Sequence, residues 1–522
     1  MSNPPDRFGP PDRGQPAPDP GMLDRPVFDN FVRAVAATPN APALRGGARA
    51  LTYAETLRQV RALAARLIAA TEPGTGIAVL LTDDVDVTIA QLACFASGRV
   101  CLLLNPVHPA PRLAAIIATA APSALLISDD FEPPPDTPVS IAILRGLPTG
   151  EEDTDIALPA VDRDAPAIVV YTSGSTGTPK GYVRTQRQIM NRLERYLVPV
   201  RIGPDDRVLT LFSMTNGSGT WAGWAALLSG AELHVSGGAS SGLRAVMQQI
   251  RTQAITALWS IPTMLRTLLA LPDAREAFRS VRAICSVSES ILSSDLEAWR
   301  RVLPPGCAIR LTYSMTETSG LAAWFLPHDA GGLSARLPVG YPSDAFDFAI
   351  VTPEGEPAPI GEVGELWVSG PMITVGEWQA GRCVPSRAIA DPTDPSRRIL
   401  RTNDLARLRP DGLLEFAGRA DDMVKVRGNR VEPAEIEDVL RRLDSVADVA
   451  VRPIRTETDA RLVAYVVPAP GATTTAAALN AHLRARLPGY MVPSRIEFLP
   501  VLPRLANGKI DAARLAAIGN GA

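Results

Sequence analysis

Short apolar runs alternate with helical patterns from Pro26 onward, and this alternation limits the possible folds more than any other feature of the chain. Helical patterns occupy residues 87–98 and 111–120, and they separate apolar runs of strand length. The strand-like runs lie at residues 77–81, 100–104, 124–127, 207–212, 231–235 and 257–259. Because strands that alternate with helices form parallel sheets with helices on both faces, the sequence predicts an α/β protein built on mostly parallel sheets.

A change of pattern near residues 410–426 predicts a second domain. At 522 residues the chain is too long for one ordinary core. Beyond a polar cluster at residues 418–422, residues 433–443 have apolar positions with helical spacing, and alternating runs of strand type follow. With a hinge at Asp421, we expect a disordered Pro-rich lead-in over residues 1–25, a large domain over 26–420 and a small mobile α+β domain over 421–522.

The composition argues against several classes of function. A net charge of −3 gives no electrostatic case for a nucleic-acid partner, and no apolar run approaches the length of a membrane span. The four His are far apart, so no local zinc motif is indicated, and the lead-in lacks the apolar stretch of a secretory signal. Scattered Cys residues predict reduced core thiols in a cytoplasmic protein: Cys94, Cys101, Cys285, Cys307 and Cys383.

A loop rich in glycine and hydroxyl groups follows the apolar run at residues 167–170. It contains Gly174 and Gly177, closes with Lys180, and carries the hydroxyls of Thr172, Ser173, Ser175 and Thr176. Backbone N–H groups, hydroxyls and one cation on a Gly-rich turn form a cradle for a polyphosphate. The loop is not a Walker A motif, because two residues separate Gly177 from Lys180. A plain Gly/Ser-rich turn is the alternative, and the closing Pro-Lys-Gly argues against it.

Further polar clusters lie downstream of this loop. Residues 313–317 bring a Tyr, a Thr and a Glu to the end of a predicted strand at residues 308–311, as a nucleotide site with Mg²⁺ requires. Asp404 is placed where a ribose could be held, Arg419 lies at the domain boundary, and Lys509 lies on a Gly turn near the C-terminus. Each residue alone is more commonly a solvated surface charge, so the interpretation depends on all of them together.

Together, and in this order, these motifs resemble the AMP-forming adenylating enzymes, the superfamily of acyl- and aryl-CoA synthetases, peptide-synthetase adenylation domains and beetle luciferases. The resemblance extends from about Phe28 to Asp511. Residues 51–53 and 104–109 are similar to the start of peptide-synthetase adenylation domains. The remaining motifs are residues 171–181, 313–317, 364–366, 401–404, 418–437 and 507–511.

The resemblance implies a role for each matched position, with ATP and Mg²⁺ as cofactors. Thr172, Ser173, Ser175, Thr176 and Lys180 would lie over the β- and γ-phosphates. Thr316 would contact the α-phosphate, and Glu317 would help to bind Mg²⁺. Adenine would lie between the Tyr313 ring and the segment Ser288, Glu289 and Ser290. Asp404 would take the ribose hydroxyls, Arg419 would approach ribose and phosphates, and Lys509 would bridge the substrate carboxylate and the α-phosphate.

The resemblance also implies a second step, in which the small domain rotates about Asp421. Rotation would withdraw Lys509 and present a thiol-transfer face made by Lys425, Arg427 and Gly428. An ordinary charge on the face of a strand is the alternative for Lys425.

The substrate pocket departs from the pattern for α-amino acids, because Gly217 stands where those domains have an Asp. No acid occurs between Asp206 and Glu232, and a buried ammonium without a carboxylate partner is costly. An ordinary α-amino acid is therefore not expected, and Trp221 favours a small or flat acid unless it is simply core. The other predicted pocket residues are Ser218, Thr312, Gly320 and Leu321.

Two further departures concern the backbone. Asn403 stands where the family has Gly, which is tolerable if that position needs a positive φ, because Asn visits that region more readily than most residues, and Val287-Ser288 replaces Gly-Gly.

These features predict an enzyme that adenylates a small carboxylic acid with ATP and then transfers it to the phosphopantetheine thiol of a separate carrier protein, in specialised metabolism. No carrier domain follows Lys509, so the acceptor would act in trans. The alternatives are an acyl- or aryl-CoA synthetase that uses free CoA, a ligase whose acceptor is an amine or another nucleophile, and a non-catalytic binding protein.

Overall fold

The computed structural model describes most of the chain, and every structural statement below concerns those residues. They are residues 19–108, 110–134, 137–148, 156–172, 180–236, 242–318, 320–328, 333–394, 396–420, 424–426, 429–431, 433–455, 460–487, 489–505 and 508–520. Among them, no helix combines the length and apolarity needed to cross a bilayer.

Strands and helices alternate through the first half of the described chain. The strands are β1 Pro42–Gly46, β2 Arg49–Thr52, β3 Gly76–Leu80, β4 Val100–Leu103, β5 Ala124–Ile127, β6 Ala142–Arg145, β7 Pro166–Thr172, β8 Lys180–Thr185, β9 Arg207–Thr210, β10 Glu232–Val235, β11 Ala257–Ser260, β12 Ala283–Val287, β13 Ala308–Ser314, β14 Gly320–Phe325, β15 Tyr341–Pro342, β16 Asp347–Val351, β17 Gly364–Gly370, β18 Gly376–Gln379, β19 Arg382–Val384, β20 Ile389–Ala390, β21 Arg398–Leu408, β22 Leu414–Arg419, β23 Val424–Val426, β24 Asn429–Val431, β25 Val446–Arg455, β26 Ala460–Pro468 and β27 Arg495–Phe498. The helices are α1 Val27–Ala37, α2 Tyr53–Ala70, α3 Asp84–Ser97, α4 Ala110–Ala120, α5 Gln186–Val200, α6 Gly217–Leu228, α7 Leu243–Thr252, α8 Pro262–Leu269, α9 Ala274–Ala277, α10 Ser293–Val302, α11 Pro433–Arg441, α12 Ala476–Arg484 and α13 Ala512–Asn520.

Two large sheets with parallel centres form the first part of the molecule, as the alternation predicts. The eight-stranded sheet has the order β19-β18-β8-β7-β4-β3-β5-β6, and the nine-stranded sheet has the order β15-β14-β13-β12-β11-β9-β10-β1-β2. The pairs from β7 through β4, β3 and β5 to β6 are parallel, as are those from β1 through β10, β9, β11 and β12 to β13. Hairpin pairs at the edges are antiparallel. The predicted fold class is confirmed.

The largest apolar cluster joins the two sheets through the helices between them. Phe95 of α3 meets Trp224 of α6 edge to face, with ring centroids 4.8 Å apart. Both side chains are almost fully buried. Since aromatic rings bury a large apolar area, this contact fixes α6 and the N-terminal end that carries Gly217.

A third sheet is antiparallel, and the alternation of strands and helices did not predict it. It has the order β16-β17-β21-β20, with β22 also paired to β21. Its core is a separate apolar cluster that includes Leu366, Val368 and Leu400. This sheet carries Asp404 and Arg419, so it supplies part of the site that the sequence assigned to the nucleotide.

The small C-terminal unit consists of the sheet β25-β26-β27, the hairpin of β23 and β24, and the helices α11 and α12. Ile436, Leu440 and Val451 are among the residues of its own apolar core, as a separate domain requires. The predicted hinge at Asp421 lies outside the described residues.

Three details differ from the sequence predictions. Residues 20–24 form a 3-10 helix beginning beside Asp19, whose carboxylate pairs with Arg25, so residues 19–25 are ordered although the disordered lead-in was predicted to reach residue 25. Strand β13 extends through Ser314, so Tyr313 lies within the strand and not after it. Cys383 is only half-buried, whereas the other four Cys are buried free thiols as predicted.

Candidate active site

Asp404, Arg419 and Tyr313 meet where the second and third sheets approach each other. Asp404 and Arg419 are directly opposite in the antiparallel pair of β21 and β22, and the Arg419 Nη1 lies 2.8 Å from Asp404 Oδ1. The Tyr313 hydroxyl donates a hydrogen bond to Asp404 Oδ2. A residue pair in register on neighbouring strands has adjacent side chains, so the sheet itself fixes this arrangement.

Burial is the main cause of the shifted pKa values of Asp404 and Tyr313. It raises the pKa of Asp404, and the Tyr313 hydrogen bond and the Arg419 charge partly oppose that rise. Burial and the neighbouring Asp404 carboxylate raise the pKa of Tyr313 well above its usual value. Tyr313 therefore remains a hydrogen-bond donor at neutral pH, and Asp404 is left as the acceptor.

Lys509 approaches the same group from the C-terminal unit. Desolvation lowers the pKa of Lys509, and Glu289 and Asp404 oppose the effect while Arg419 reinforces it. The side chain remains accessible to water because it lies on the wall of a cavity of about 420 Å³. Four predicted site residues line this cavity: Glu289, Ser290, Arg419 and Lys509. Glu289 is fixed there, because its Oε2 accepts hydrogen bonds from Thr263 N at 3.1 Å and Thr263 Oγ1 at 2.7 Å.

Contacts between the two parts of the chain set this position of Lys509. Ser294 Oγ of α10 donates to Asp438 Oδ1 of α11 at 2.8 Å, and Arg442 Nη2 donates to Ser293 Oγ at 3.1 Å. Beside Lys509, the position of a Cβ on Gly508 would lie 2.7 Å from the Ile261 side chain, and the φ of Gly508 is +83°. Only glycine fits that turn, and it brings Lys509 against the large domain.

The predicted phosphate side is described in part. Lys180 is the first residue of β8, and its Nζ lies 3.8 Å from Glu377 Oε1. Thr172 is the last residue of β7. Ser173, Ser175 and Thr176 lie outside the described residues, as do Arg427 and Gly428 of the predicted thiol-transfer face, whereas Lys425 is within β23.

A buried arginine that sequence reasoning missed holds the segment of Thr316 and Glu317. Arg184 of β8 donates to Met372 O at 2.9 Å, to Thr316 O at 2.5 Å and to Thr318 O. Burial lowers the pKa of Arg184 to about 9, so the guanidinium stays protonated at neutral pH. The available sequence signal was weak, an Arg directly after Tyr182 and Val183, although a buried charge requires a structural or functional partner.

Glu317 is held by two contacts of different kinds. Its carboxylate Oε1 accepts from Arg387 Nη2 at 2.8 Å and Nε at 3.1 Å, and its backbone carbonyl accepts from Thr374 N at 2.7 Å. The described residues contain no group of three or more His, Cys, Asp or Glu that could hold a metal ion by themselves. One carboxylate together with substrate phosphates is nevertheless a common Mg²⁺ environment, so Glu317 fits that ion if the phosphates supply the other oxygens.

The predicted substrate pocket lies between α6 and β13. A Cβ on Gly217 would be 3.4 Å from Trp221 Nε1, and one on Gly320 would be 3.5 Å from Thr312 Cγ2. Trp221 and Thr312 are both buried. Ser218 is half-buried in the first turn of α6, which Asn216 caps. Leu321 is fully buried in the apolar cluster of the third sheet, at the irregular pairing of β13 with β14.

Two non-glycine residues near the nucleotide site have positive φ. Asn403 has φ +60°, in the region that asparagine tolerates better than most residues. Ser288 has φ +73°, a conformation that costs an L-residue free energy. Strained positions of this kind persist where the surrounding structure imposes them.

Comparison with known proteins identifies the class. A family model described as AMP-binding enzyme matches residues 31–378, and one described as AMP-binding enzyme C-terminal domain matches residues 435–509. Because the first match covers more than half of the chain, the protein belongs to the family of AMP-binding enzymes. The predicted AMP-forming adenylating superfamily is thereby confirmed.

The chain is similar to parts of larger curated proteins, and its fold is similar to that of a CoA ligase. CymA of Salinispora arenicola, described as a nonribosomal peptide synthetase, is 35% identical over 489 residues, which are 92% of this chain and 6% of CymA. Enterobactin synthase component F of Escherichia coli is 31% identical over 92% of this chain and 38% of that protein. The fold resembles the anthranilate CoA ligase AuaEII in complex with anthranoyl-AMP, with a TM-score of 0.82, 21% identity, and coverage of 95% of this chain and 97% of that one. The chain thus spans well under half the length of these curated relatives.

Proposed function

We propose that this enzyme condenses a carboxylic acid with ATP to form an acyl-adenylate and pyrophosphate. The observation that carries the proposal is the position of Lys509, which lines one cavity with Glu289 and Arg419 and lies near enough to Asp404 for that carboxylate to affect its pKa. In the reaction, the acid carboxylate attacks the α-phosphorus of ATP, the bond to the β-phosphate oxygen breaks, and pyrophosphate leaves.

The chain's own residues supply positioning and charge. Asp404, held by Tyr313 and Arg419, accepts hydrogen bonds from the ribose hydroxyls. The bound ribose in turn orients the α-phosphate. Lys509 neutralises two anions that must approach each other, the carboxylate and the α-phosphate. Lys180 and the loop that precedes it bind the leaving pyrophosphate. Mg²⁺, held by Glu317 and phosphate oxygens, supplies charge neutralisation to the triphosphate.

For the second step we propose transfer to the phosphopantetheine thiol of a separate carrier protein, across a face with Lys425, Arg427 and Gly428, after rotation about Asp421. Support comes from the curated relative CymA, described as a nonribosomal peptide synthetase, which is 35% identical over 92% of this chain. Free CoA is the alternative acceptor, and the fold likeness to AuaEII, described as a CoA ligase, supports it.

Substrate-dependent exchange between ATP and labelled pyrophosphate tests the first step. The panel should contain α-amino, β-amino, hydroxy, aryl and short aliphatic acids. Exchange with any acid supports adenylation, and exchange confined to α-amino acids would contradict the interpretation of Gly217. A loading assay with a phosphopantetheinyl carrier protein and with CoA, each added to the enzyme with its acid and ATP, then identifies the acceptor.

A further inference from the structure

Two buried arginines lie beside predicted residues of the acid pocket. Its predicted wall residues include two glycines, one tryptophan and two hydroxyl residues, and the sequence from Arg207 to Ala231 contains no acid. The glycines Gly217 and Gly320 leave space beside Trp221 and Thr312. A guanidinium lies against each of those two residues, and neither belongs to the predicted nucleotide site.

Arg310 lies on the floor side of Thr312. The two residues are two positions apart on β13, so their side chains share one face of the sheet, and Arg310 lies further from the strand's carboxyl end. Arg310 Nη1 is 3.4 Å from Thr312 Oγ1, which shows that the guanidinium extends toward the predicted pocket. Its side chain is buried, with the guanidinium 5.9 Å from the centroid of Phe325.

Arg192 of α5 lies beside Trp221. Its guanidinium is 4.7 Å from the centroid of the Trp221 ring, and the side chain is buried. Arg184 contributes further positive charge nearby, because the charge of Arg192 lowers the pKa of Arg184, although burial is the larger cause. Each of the two predicted pocket residues, Trp221 and Thr312, thus has a guanidinium beside it.

We infer that the acid activated here carries a second carboxylate, which Arg310 binds at the floor of the pocket with Arg192 adding favourable charge behind Trp221. This inference rests on the proposed adenylation. One carboxylate of the substrate faces Lys509 and reacts, and the other lies deeper. A guanidinium binds a carboxylate through two parallel hydrogen bonds, and such charge-assisted bonds are stronger in a buried site than in water.

Arg310 and Arg192 also disfavour a substrate that carries a positive charge. An ammonium group placed near Arg310 and Trp221 would meet positive charge and no acid from residues 207–231. A wholly apolar acid would leave the guanidiniums to their present contacts, which include the neutral Thr312 hydroxyl and the aromatic rings. A diacid therefore gains more binding free energy from these arginines than an acid with an ammonium group or a wholly apolar acid.

Pyrophosphate exchange with matched acid pairs tests the inference. Succinate is compared with butyrate and fumarate with crotonate, because each pair has the same number of carbons and differs in the distal carboxylate. We expect kcat/KM for the diacid to exceed that for the monoacid by about 10- to 100-fold, the usual effect of a hydrogen bond to a charged group. Arg310→Met should remove this preference by lowering the diacid value alone, and Arg310→Lys should retain part of it.

Arg300→Met is the matched control. Arg300 is another partly buried arginine, but it donates to the carbonyls of Cys307, Leu326 and Pro327 on the far side of β13 from the predicted pocket. The same chemical change there should leave the diacid preference intact even where it lowers stability. An equal loss of preference in both variants would show that destabilisation, and not Arg310, is responsible.

The outcomes separate this inference from the proposed function. Exchange with monocarboxylic acids but not with diacids overturns the inference and leaves adenylation standing. A diacid preference that survives in Arg310→Met also overturns it. Absence of exchange with every acid of the panel would remove the proposed function, and the inference with it.

Discussion

At the scale of single residues, the structure places Lys509 of the C-terminal unit and two backbones with positive φ around the predicted nucleotide site. Lys509 reaches the group of Asp404 and Arg419 from the C-terminal unit, so its contribution depends on where that unit lies. Ser288 and Asn403 instead affect the stability of the fold through their backbone conformation, because both have positive φ. The role of the Lys509 side chain can therefore be tested by kinetics, and the backbone conformations of Ser288 and Asn403 can be tested by unfolding.

Lys509→Ala should reduce pyrophosphate exchange by about 100- to 1000-fold, since removal of one group that stabilises developing charge has this effect. Transfer of an acyl group from a supplied acyl-adenylate to the thiol should remain, because that step does not use Lys509. Steady-state exchange and single-turnover transfer measure the two steps. Arg514→Ala, on the exposed side of α13, is the control for loss of positive charge. Near-normal exchange by Lys509→Ala would exclude the proposed role.

Ser288→Gly should stabilise the folded protein by roughly 0.5–1 kcal/mol, because glycine adopts positive φ without the steric cost that serine bears. Asn403→Gly should change stability by less, since asparagine visits this region readily. Chemical unfolding of the two variants beside the wild type measures the difference. A loss of stability in Ser288→Gly would show that the serine side chain contributes more than its backbone costs.

At the scale of secondary-structure elements, Arg184 links three segments that are far apart in sequence. Its guanidinium joins β8 to the loop after β13 and to Met372, across sequence separations of 132 to 188 residues. Strand β8 begins with Lys180, so the same strand carries a predicted phosphate contact and the support for Thr316 and Glu317. Strand β8 as a whole, more than any one of its residues, therefore sets the geometry of the predicted phosphate contacts.

Arg184→Met should raise the KM for ATP and lower kcat, together by about 10- to 100-fold in kcat/KM, because the carbonyls of Thr316 and Thr318 lose their donor and the segment shifts. Arg184→Lys should recover only part of the activity, since an ammonium cannot reproduce a planar fork of donors. Arg187→Met, an arginine of α5 that pairs with Asp164, is the control. Unchanged kinetics in Arg184→Met would remove its positioning role.

The sequence predicted local features well at this scale and remote contacts poorly. Six apolar runs gave parallel strands within one or two residues, because the pattern of a strand is a local property. The contacts of Arg184 and the pairing of Glu317 with Arg387 depend on how distant segments pack, which no local pattern encodes. The antiparallel third sheet was missed as well, because β17 pairs with β21 across a long connection and the short turn between β21 and β22 does not indicate which strands flank that pair.

At the scale of the whole molecule, a small polar interface fixes the orientation of the C-terminal unit. Ser293 and Ser294 at the start of α10 bind Arg442 and Asp438 of the other unit. An interface of a few hydrogen bonds, each contributing about 1 kcal/mol, can open and close during turnover.

Asp438→Ala should therefore weaken the orientation that brings Lys509 into the site. We expect pyrophosphate exchange to fall about fivefold, the effect of one lost hydrogen bond, while thiol transfer from a supplied acyl-adenylate stays the same or rises. Asp444→Ala, an exposed acid in the same unit, is the control, and thermal unfolding of both variants checks that the unit remains folded. An equal fall in both steps would contradict a role in orientation.

The pairing of Asp404 with Arg419 has a consequence for engineered hybrids of this family. The two residues face each other on β21 and β22, and β22 ends at Arg419. A hybrid joined upstream of β22 would combine the carboxylate of one parent with the arginine of another, and a shift of one residue in pairing would turn that arginine to the opposite face. Exchange of C-terminal units between relatives should therefore be made after residue 420, so that the last strand of the third sheet stays with the parent whose ribose site it completes.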